Sequence, residues 1–358
     1  MKTDIGAGFE QEMTGSATGA AKGDAMLIEA AGRASIELPS DFPLLSADFV
    51  RLGSDLLLVA EDGGQILIQD YFDAPAAALV QPDGIHGEIN IAGHTVTSFA
   101  GPLAPGQLAQ AGDVALGGEP IGTVDSVTGQ VTAQRVDGTV VTLTVGDPVF
   151  QGDVLETTAD GEITLIFLDN SAFSMSESAR MVLDELIYDP DSGDGSAQFS
   201  VLQGVFAFVS GDVAANNPGA TTIETPVATI GIRGTSLGFS YFPDAGLIAA
   251  LIPDPDGTYG EADFLGSDGW NFTLDQSLNA LNAPPGQTPT AQSMSPDEAV
   301  ARLGAGGAEM LAQAQQTAAT HQGADGGNDG STDGNLDVGP PSLPPSGPDA
   351  GPDTAPPP

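Results

Sequence analysis

The sequence contains no cysteine, which removes disulfides, thiol catalysis, cysteine–zinc sites and iron–sulfur clusters together. It does not fix the compartment, because a chain without cysteine suits an exported bacterial protein as well as a cytosolic one. Positive charge is nearly as scarce. Lysine and arginine number 8 against 49 acidic residues, the formal net charge is -41, and residues 23–358 hold no lysine. Such a surface repels phosphates and anionic headgroups, so nucleic acid and charge-driven membrane binding are excluded as partners. A phosphate loop with its lysine is excluded too. The 3 histidines, His86, His94 and His321, read as parts of a hairpin region and a disordered tail, away from metal-ligand spacing. Residues 121–290 contain neither histidine nor lysine, so a serine nucleophile there has no base. Carboxylates are too numerous to single out a glycosidase pair. No catalytic residue is therefore expected. No apolar run reaches the roughly 18 residues a membrane helix needs, and residues 1–20 lack the apolar core of a secretory signal. Direct membrane insertion is not expected, and export, if it occurs, would proceed without an N-terminal signal.

What is present is a β pattern, in a chain whose 41% hydrophobic content suffices for a sizeable core. Residues 1–24, rich in Gly, Ala, Ser and Thr, read as a flexible leader. Residues 25–99 read as a small β domain. Its clearest hairpin is "DLLLVAEDGGQILIQDYF" (55–72), with turn residues between two apolar runs, and "HGEINIAGHTVTSF" (86–99) reads as another around "AGH". Residues 100–120, rich in Gly, Ala and Pro, mark a linker. Short strands bounded by Gly, Asp, Asn or Pro then follow densely over 121–275, beginning with a hairpin in "GQVTAQRVDGTVVTLTVGD". The expected fold class is all-β: two small β modules, the second solenoid- or sandwich-like, with a short C-terminal helix and disordered tails. That helix is read over 295–319 as an appendage, starting with a capping box at Ser295 and Glu298 and with Pro296 at its first position. Glycines at 304, 306 and 307 weaken its middle, so two short helices fit as well as one. Residues 320–358, Gly, Asp and Pro-rich, cannot bury a core.

Several residues stand out. Gly146-Asp147 and Gly152-Asp153 flank an apolar pair, and Asp169 precedes Asn170 between two strands. Each is read as a turn in preference to a metal or catalytic aspartate, because glycine supplies positive φ and aspartate bonds nearby amides. Asp189, Asp191 and Asp194, and Asp254 and Asp256, alternate as calcium-loop carboxylates do. Gly193, however, stands where an EF-hand needs an oxygen ligand. No cofactor is expected, and weak calcium binding is the one exception these loops leave open. Arg180 and Arg233 border strand-like runs. The negative field makes an anion receptor costly, so each is read as a clamp, a guanidinium bonding a carboxylate in two places. Asp169, Asp184 and Glu224 are the candidate partners of Arg233. Thr225-Pro226 gives it an extended approach.

Taken in order, "VGDPVFQGDVLET", "GEITLIFLDNSAFSM", "ARMVLDELIYDPDSG", "FSVLQGVFAFVSGDV" and "TPVATIGIRGT" resemble the FecR domain, over about residues 122–235. Gly146, Asp147, Gly152, Asp153, Asp169, Arg180, Gly204, Thr225, Pro226, Gly231, Arg233, Gly234 and Thr235 carry the motifs. The resemblance implies an all-β, protein-binding module of a Gram-negative bacterium. In the family's namesake it is periplasmic and relays a receptor signal to a sigma factor. More weakly, "FVRLGSDLLLVAEDGGQILIQDYF" (49–72) resembles the prefix-like domain of BapA-type biofilm adhesins, a resemblance that fits the leader without a signal peptide, the acidity and the Gly/Asp/Pro tail, all features of proteins handled by type I export. The expectation is a non-enzymatic interaction module at the cell surface or exported, linked to adhesion or envelope assembly, with an unidentified protein partner. The alternative is an envelope signalling component with a separate membrane anchor, in the periplasm or cytoplasm.

Overall fold

The computed structural model describes residues 25–30, 32–82, 88–101, 118–254, 257–303 and 307–325. The expected leader, most of the linker, the tail beyond 325, His86 and Asp256 lie outside them. In the N-terminal part, β1 (Met26–Glu29), β2 (Ser35–Glu37), β3 (Asp48–Leu52), β4 (Asp55–Val59), β5 (Gln65–Gln69), β6 (Ala78–Pro82) and β7 (Glu88–Ile91) precede helix α1 (Gly93–Ala100). They form two sheets, ordered β1-β5-β4-β3 and β2-β6-β7. The hairpin of β4 and β5 follows from alternation. Leu56, Leu58, Ile66 and Ile68 are buried on one face, while the Asp62 carboxylate accepts the Gly64 N–H at the turn. The second expected hairpin is not one. Val96, Phe99 and Ala100 are buried together, an i, i+3, i+4 spacing that belongs to a helix, and Phe99 packs on Phe49 with ring centroids 5.6 Å apart.

The larger part is built from β8 (Gly122–Thr128), β9 (Val131–Gln134), β10 (Val140–Thr142), β11 (Pro148–Val149), β12 (Val154–Thr157), β13 (Glu162–Phe167), β14 (Ala172–Met175), β15 (Arg180–Tyr188) and β16 (Gly195–Val209). A short helix, α2 (Asp212–Asn216), separates these from β17 (Thr221–Glu224), β18 (Ala228–Arg233), β19 (Ser236–Phe242), β20 (Gly246–Ile252), β21 (Glu261–Gly266), β22 (Asn271–Leu274), β23 (Ala280–Ala283) and β24 (Thr290–Gln292). Two open sheets result. One pairs in the order β10-β9-β12-β15-β16-β17-β18-β21-β22. The other runs β11-β8-β13-β14-β16-β19-β20-β23-β24. Successive hairpins alternate between the sheets, which makes a sandwich with solenoid-like winding. Its strands continue to Gln292, past the expected boundary at 275.

One strand belongs to both sheets. The first half of β16 pairs with β15 up to Gln203, and from Gly204 onward it pairs with β19. Gly204 has φ +128°, and a Cβ there would run into Ala179, so the crossing point needs glycine. Beyond it, residues 206–209 are all buried. Phe206 and Phe208 face the interior with Phe173, Phe199 and Phe239, and Phe206 stacks on Phe239 at 5.1 Å. Ala207 and Val209 face the other way, against Met310, Leu311, Ala314 and Ala318. Those four lie on α4 (Gly307–Asp325), which follows α3 (Pro296–Ala301) with its capping box at Ser295 and Glu298. The C-terminal helix is thus a pair, reaching past 319, and a covering layer of the second sheet, not an appendage. Its apolar residues recur every three or four positions, and the sheet's outward Ile166, Ala172 and Ile252 supply the surface they bury.

Candidate functional site

The scarce arginines mark three distinct environments. Arg180, at the start of β15, donates to Glu156 Oε1 at 2.8 Å and to the carbonyls of Leu45 and Ala47 at 3.1 and 3.2 Å. Its guanidinium also lies 4.7 Å from the Phe99 ring centroid. It therefore bolts the N-terminal domain to the sandwich, using the planar fork that lysine lacks. Arg135, at the end of β9, pairs with the buried Asp153 and donates to the Pro148 carbonyl at 3.1 Å. Burial pushes the Asp153 carboxyl up to about 6, against the opposing pull of the Phe150 N–H and Arg135, and its Oδ1 has no hydrogen-bond partner. Arg233, at the end of β18, is the most exposed of the three. It pairs with Glu261 at 3.4 Å and with Asp263, both on the neighbouring β21. None of Asp169, Asp184 or Glu224 is its partner. Arg233 lies directly opposite Glu261 in the β18–β21 register, and that pairing decides the matter.

Asp184 and Glu224 meet a different cation. Helix α1 points His94 at both, with Nε2 3.9 Å from Asp184 and 3.6 Å from Glu224. Beside them Thr95 donates to the Ser200 hydroxyl at 3.2 Å. The Asn90 N–H donates to the Pro226 carbonyl at 2.8 Å, so the Thr225-Pro226 corner is also a domain contact. Burial pushes the Asp184 carboxyl up to about 6; Ser200 and His94 draw it back and Glu224 adds to the rise. His94, Asp184, Ser200 and Glu224 are not legible as a group in the sequence, because residues 86–99 read there as a hairpin and not as the helix that brings His94 to the sandwich. The other described histidine, His321, is on α4, 3.9 Å from Asp125, not in a disordered tail.

The remaining motif residues do local work. Gly146 and Gly152 have φ +87° and +83° at turns. The exposed Asp147 accepts the Thr144 N–H and hydroxyl at 2.7 and 2.8 Å, which holds its carboxyl below the usual range. Asp169 accepts the Ser171 N–H at 3.1 Å, and burial raises its pKa despite those bonds. Thr225 closes its own turn on Ala228. Gly231 lies mid-strand in β18 with nothing closer to a Cβ than Asp263 at 3.9 Å. Gly234 turns the chain at φ +65°, and the Thr235 N–H donates to the Ser210 hydroxyl at 2.8 Å. In the acidic loops, Asp189 accepts the Asp191 N–H and the Ser192 hydroxyl, each at 3.0 Å, and Asp254 accepts from the Ser236 hydroxyl at 2.6 Å. Asp191 and Asp194 lie in the same turn, the Asp194 N–H donating to Ser192. Among the described residues no group of three His, Asp or Glu side chains is arranged to hold a metal ion.

Residues 153–249, from Asp153 through most of β20, match the model of the family described as FecR protein. The chain contains a FecR domain. Its match takes in Arg180, the crossing at Gly204 and Arg233. The chain is also similar to a solved structure described as a cell surface anchoring domain, at 30% identity, covering 18% of this chain and 83% of that one, with a TM-score of 0.17. A second solved structure is given provisionally as an anti-sigma factor from Parabacteroides distasonis ATCC 8503. It is 11% identical, covers 42% of this chain and 64% of that one, and has a TM-score of 0.32. No curated protein matches the chain. The FecR domain is accompanied here by the N-terminal domain seated on it through Arg180 and His94.

Proposed function

We propose that this chain is a non-enzymatic, protein-binding regulator of the bacterial cell envelope, in which the FecR domain holds a partner protein and transmits its state. The FecR match over 153–249 carries this reading. The geometry supports it. The N-terminal domain meets the FecR domain through polar contacts at Arg180, His94 and Asn90 and through an apolar core that runs across the junction, so a protein bound to either part can act on the other. Among the described residues no helix is long and apolar enough to cross a membrane, and a membrane protein is the partner this reading expects. The net charge of -41 favours a protein partner with a basic face over nucleic acid. Photo-cross-linking in intact cells, followed by fractionation, tests the proposal. An envelope-protein adduct supports it; a protein confined to the cytosol with no adduct overturns it.

A second reading places the chain at the cell surface, in adhesion or envelope assembly. Its acidity favours that, since an excess of carboxylates suits an exported protein in a salty exterior. Protease shaving of whole cells separates the two: cleavage from outside supports the surface, protection until the outer membrane is opened supports the periplasm.

A further inference from the structure

We propose that the free edge of β10 is a docking site for an extended segment of a partner protein, one with an uncharged β-branched centre and basic ends. The inference rests on the protein-binding reading above and names the surface it uses. The two sheets end in β10 and β22, and in β11 and β24. Three of these edges are blunted or short of room. Strand β11 opens with Pro148, which has no N–H to offer. Strand β24 is followed within three residues by the cap of α3. Strand β22 opens with Asn271, a residue that strands disfavour, and its Thr273 hydroxyl is bonded to Asp263.

The β10 edge is different. From Thr139 to Val145 the chain reads TVVTLTV, β-branched at every position but Leu143, without charge, proline or glycine to discourage pairing. Its register with β9 fixes which backbone groups are available. Arg135 N–H donates to Thr139 O and Leu143 N–H to Val131 O, and Val141 lies opposite Ala133. The odd-numbered residues therefore bond to β9. In an antiparallel ladder the alternate residues, Val140 and Thr142, turn their N–H and C=O groups to the open side. Val136, Val140 and Val145 are 59%, 62% and 64% exposed around that edge, and an added strand would cover this apolar surface. Charge sets the ends of the incoming segment. Asp137 and Asp147 bracket the run, and each is kept ionised by bonds from its own turn, to Thr139 and Thr144 respectively. A strand with Lys or Arg at both ends meets opposite charge at each, whereas a second copy of this acidic chain would bring like charges together.

The test is hydrogen exchange on the full chain with the peptide Lys-Thr-Val-Thr-Val-Thr-Lys, and with a control carrying Glu at both ends. The Lys peptide is expected to slow exchange at the Val140 and Thr142 amides, with Val141 already slow when free. Thr142→Pro removes one open-side donor and none that β9 uses. It is expected to weaken the Lys peptide by at least about tenfold, the worth of one to two backbone hydrogen bonds. Asp137→Asn with Asp147→Asn keeps both turn acceptors, and should erase the preference for Lys over Glu ends. Absence of protection at Val140 and Thr142, or equal affinity in a folded Thr142→Pro chain, overturns the proposal. In cells, an envelope adduct that persists undiminished in Thr142→Pro overturns the β10 assignment and leaves the protein-binding function standing. Loss of every adduct from the wild-type chain would count against that function, and the peptide result would still decide the edge.

Discussion

Among single residues, the arginines order themselves by burial. Arg180 is 15% exposed and Arg233 45%, and their substitution should differ accordingly. Arg180→Ala removes a charge-assisted bond to Glu156, two bonds to carbonyls and a contact with Phe99. Thermal or urea denaturation should show a loss of about 2–3 kcal/mol, with Arg180→Lys recovering only part of it. Limited proteolysis should then release the N-terminal domain faster. Arg233→Ala breaks a surface pair with Glu261 and Asp263 and should cost no more than about 1 kcal/mol, falling further in high salt. Equal losses at the two positions would contradict this assignment of the clamp. Arginine scarcity drew notice to Arg180 and Arg233. It could not say which mattered more, because the carbonyls of Leu45 and Ala47 lie more than a hundred residues away in sequence.

At the scale of elements, β16 and α4 hold the sandwich to its shape. Gly204→Ala forces a Cβ into Ala179 at a φ of +128°, so it should destabilise by more than about 2 kcal/mol, read as a lowered midpoint in urea. Ending the chain at Arg302 removes α4 and bares Ile166, Ala207, Val209 and Ile252. The truncated protein should bind a hydrophobic dye and self-associate, visible in light scattering. The hairpins were legible in the sequence because they are local: Asp62-Gly63-Gly64 between Leu56–Leu58 and Ile66–Ile68 announces both strands and turn. The α3 cap was legible for the same reason. Helix α1 was not, since its β-branched Thr95, Val96 and Thr97 suit a strand until Phe49 and the face of β15 are there to receive a helical face. Nor could register be read. The partners of Arg233 are set by β18 lying against β21, and the His94 site by two domains meeting, both products of long-range packing.

For the whole molecule, the buried carboxylates and the large negative charge act together on stability. Asp153 and Asp184 have folded pKa values raised by burial to about 6, against an unfolded value near 3.9. Between those values the folded state binds more protons than the unfolded one, so stability falls as pH rises from about 4 to about 6. Their contribution is fully present only below the unfolded value. Asp137, Asp147, Asp275 and Glu298 are shifted the other way, each by hydrogen bonds in its own turn or cap. What they contribute is present above the ordinary carboxylate range and is lost on acidification. General repulsion within a chain of net charge -41 also grows as pH rises, and salt screens it. The stability maximum should therefore fall on the acidic side of neutrality, between about pH 4 and 6, and added salt should raise the melting temperature at pH 7 more than at pH 5. Denaturation midpoints across this range measure both effects. Asp184→Asn should flatten the slope between pH 4 and 6, because it removes the carboxyl whose burial raises its folded pKa. A slope unchanged in both Asp153→Asn and Asp184→Asn would place its origin in the surface charge alone.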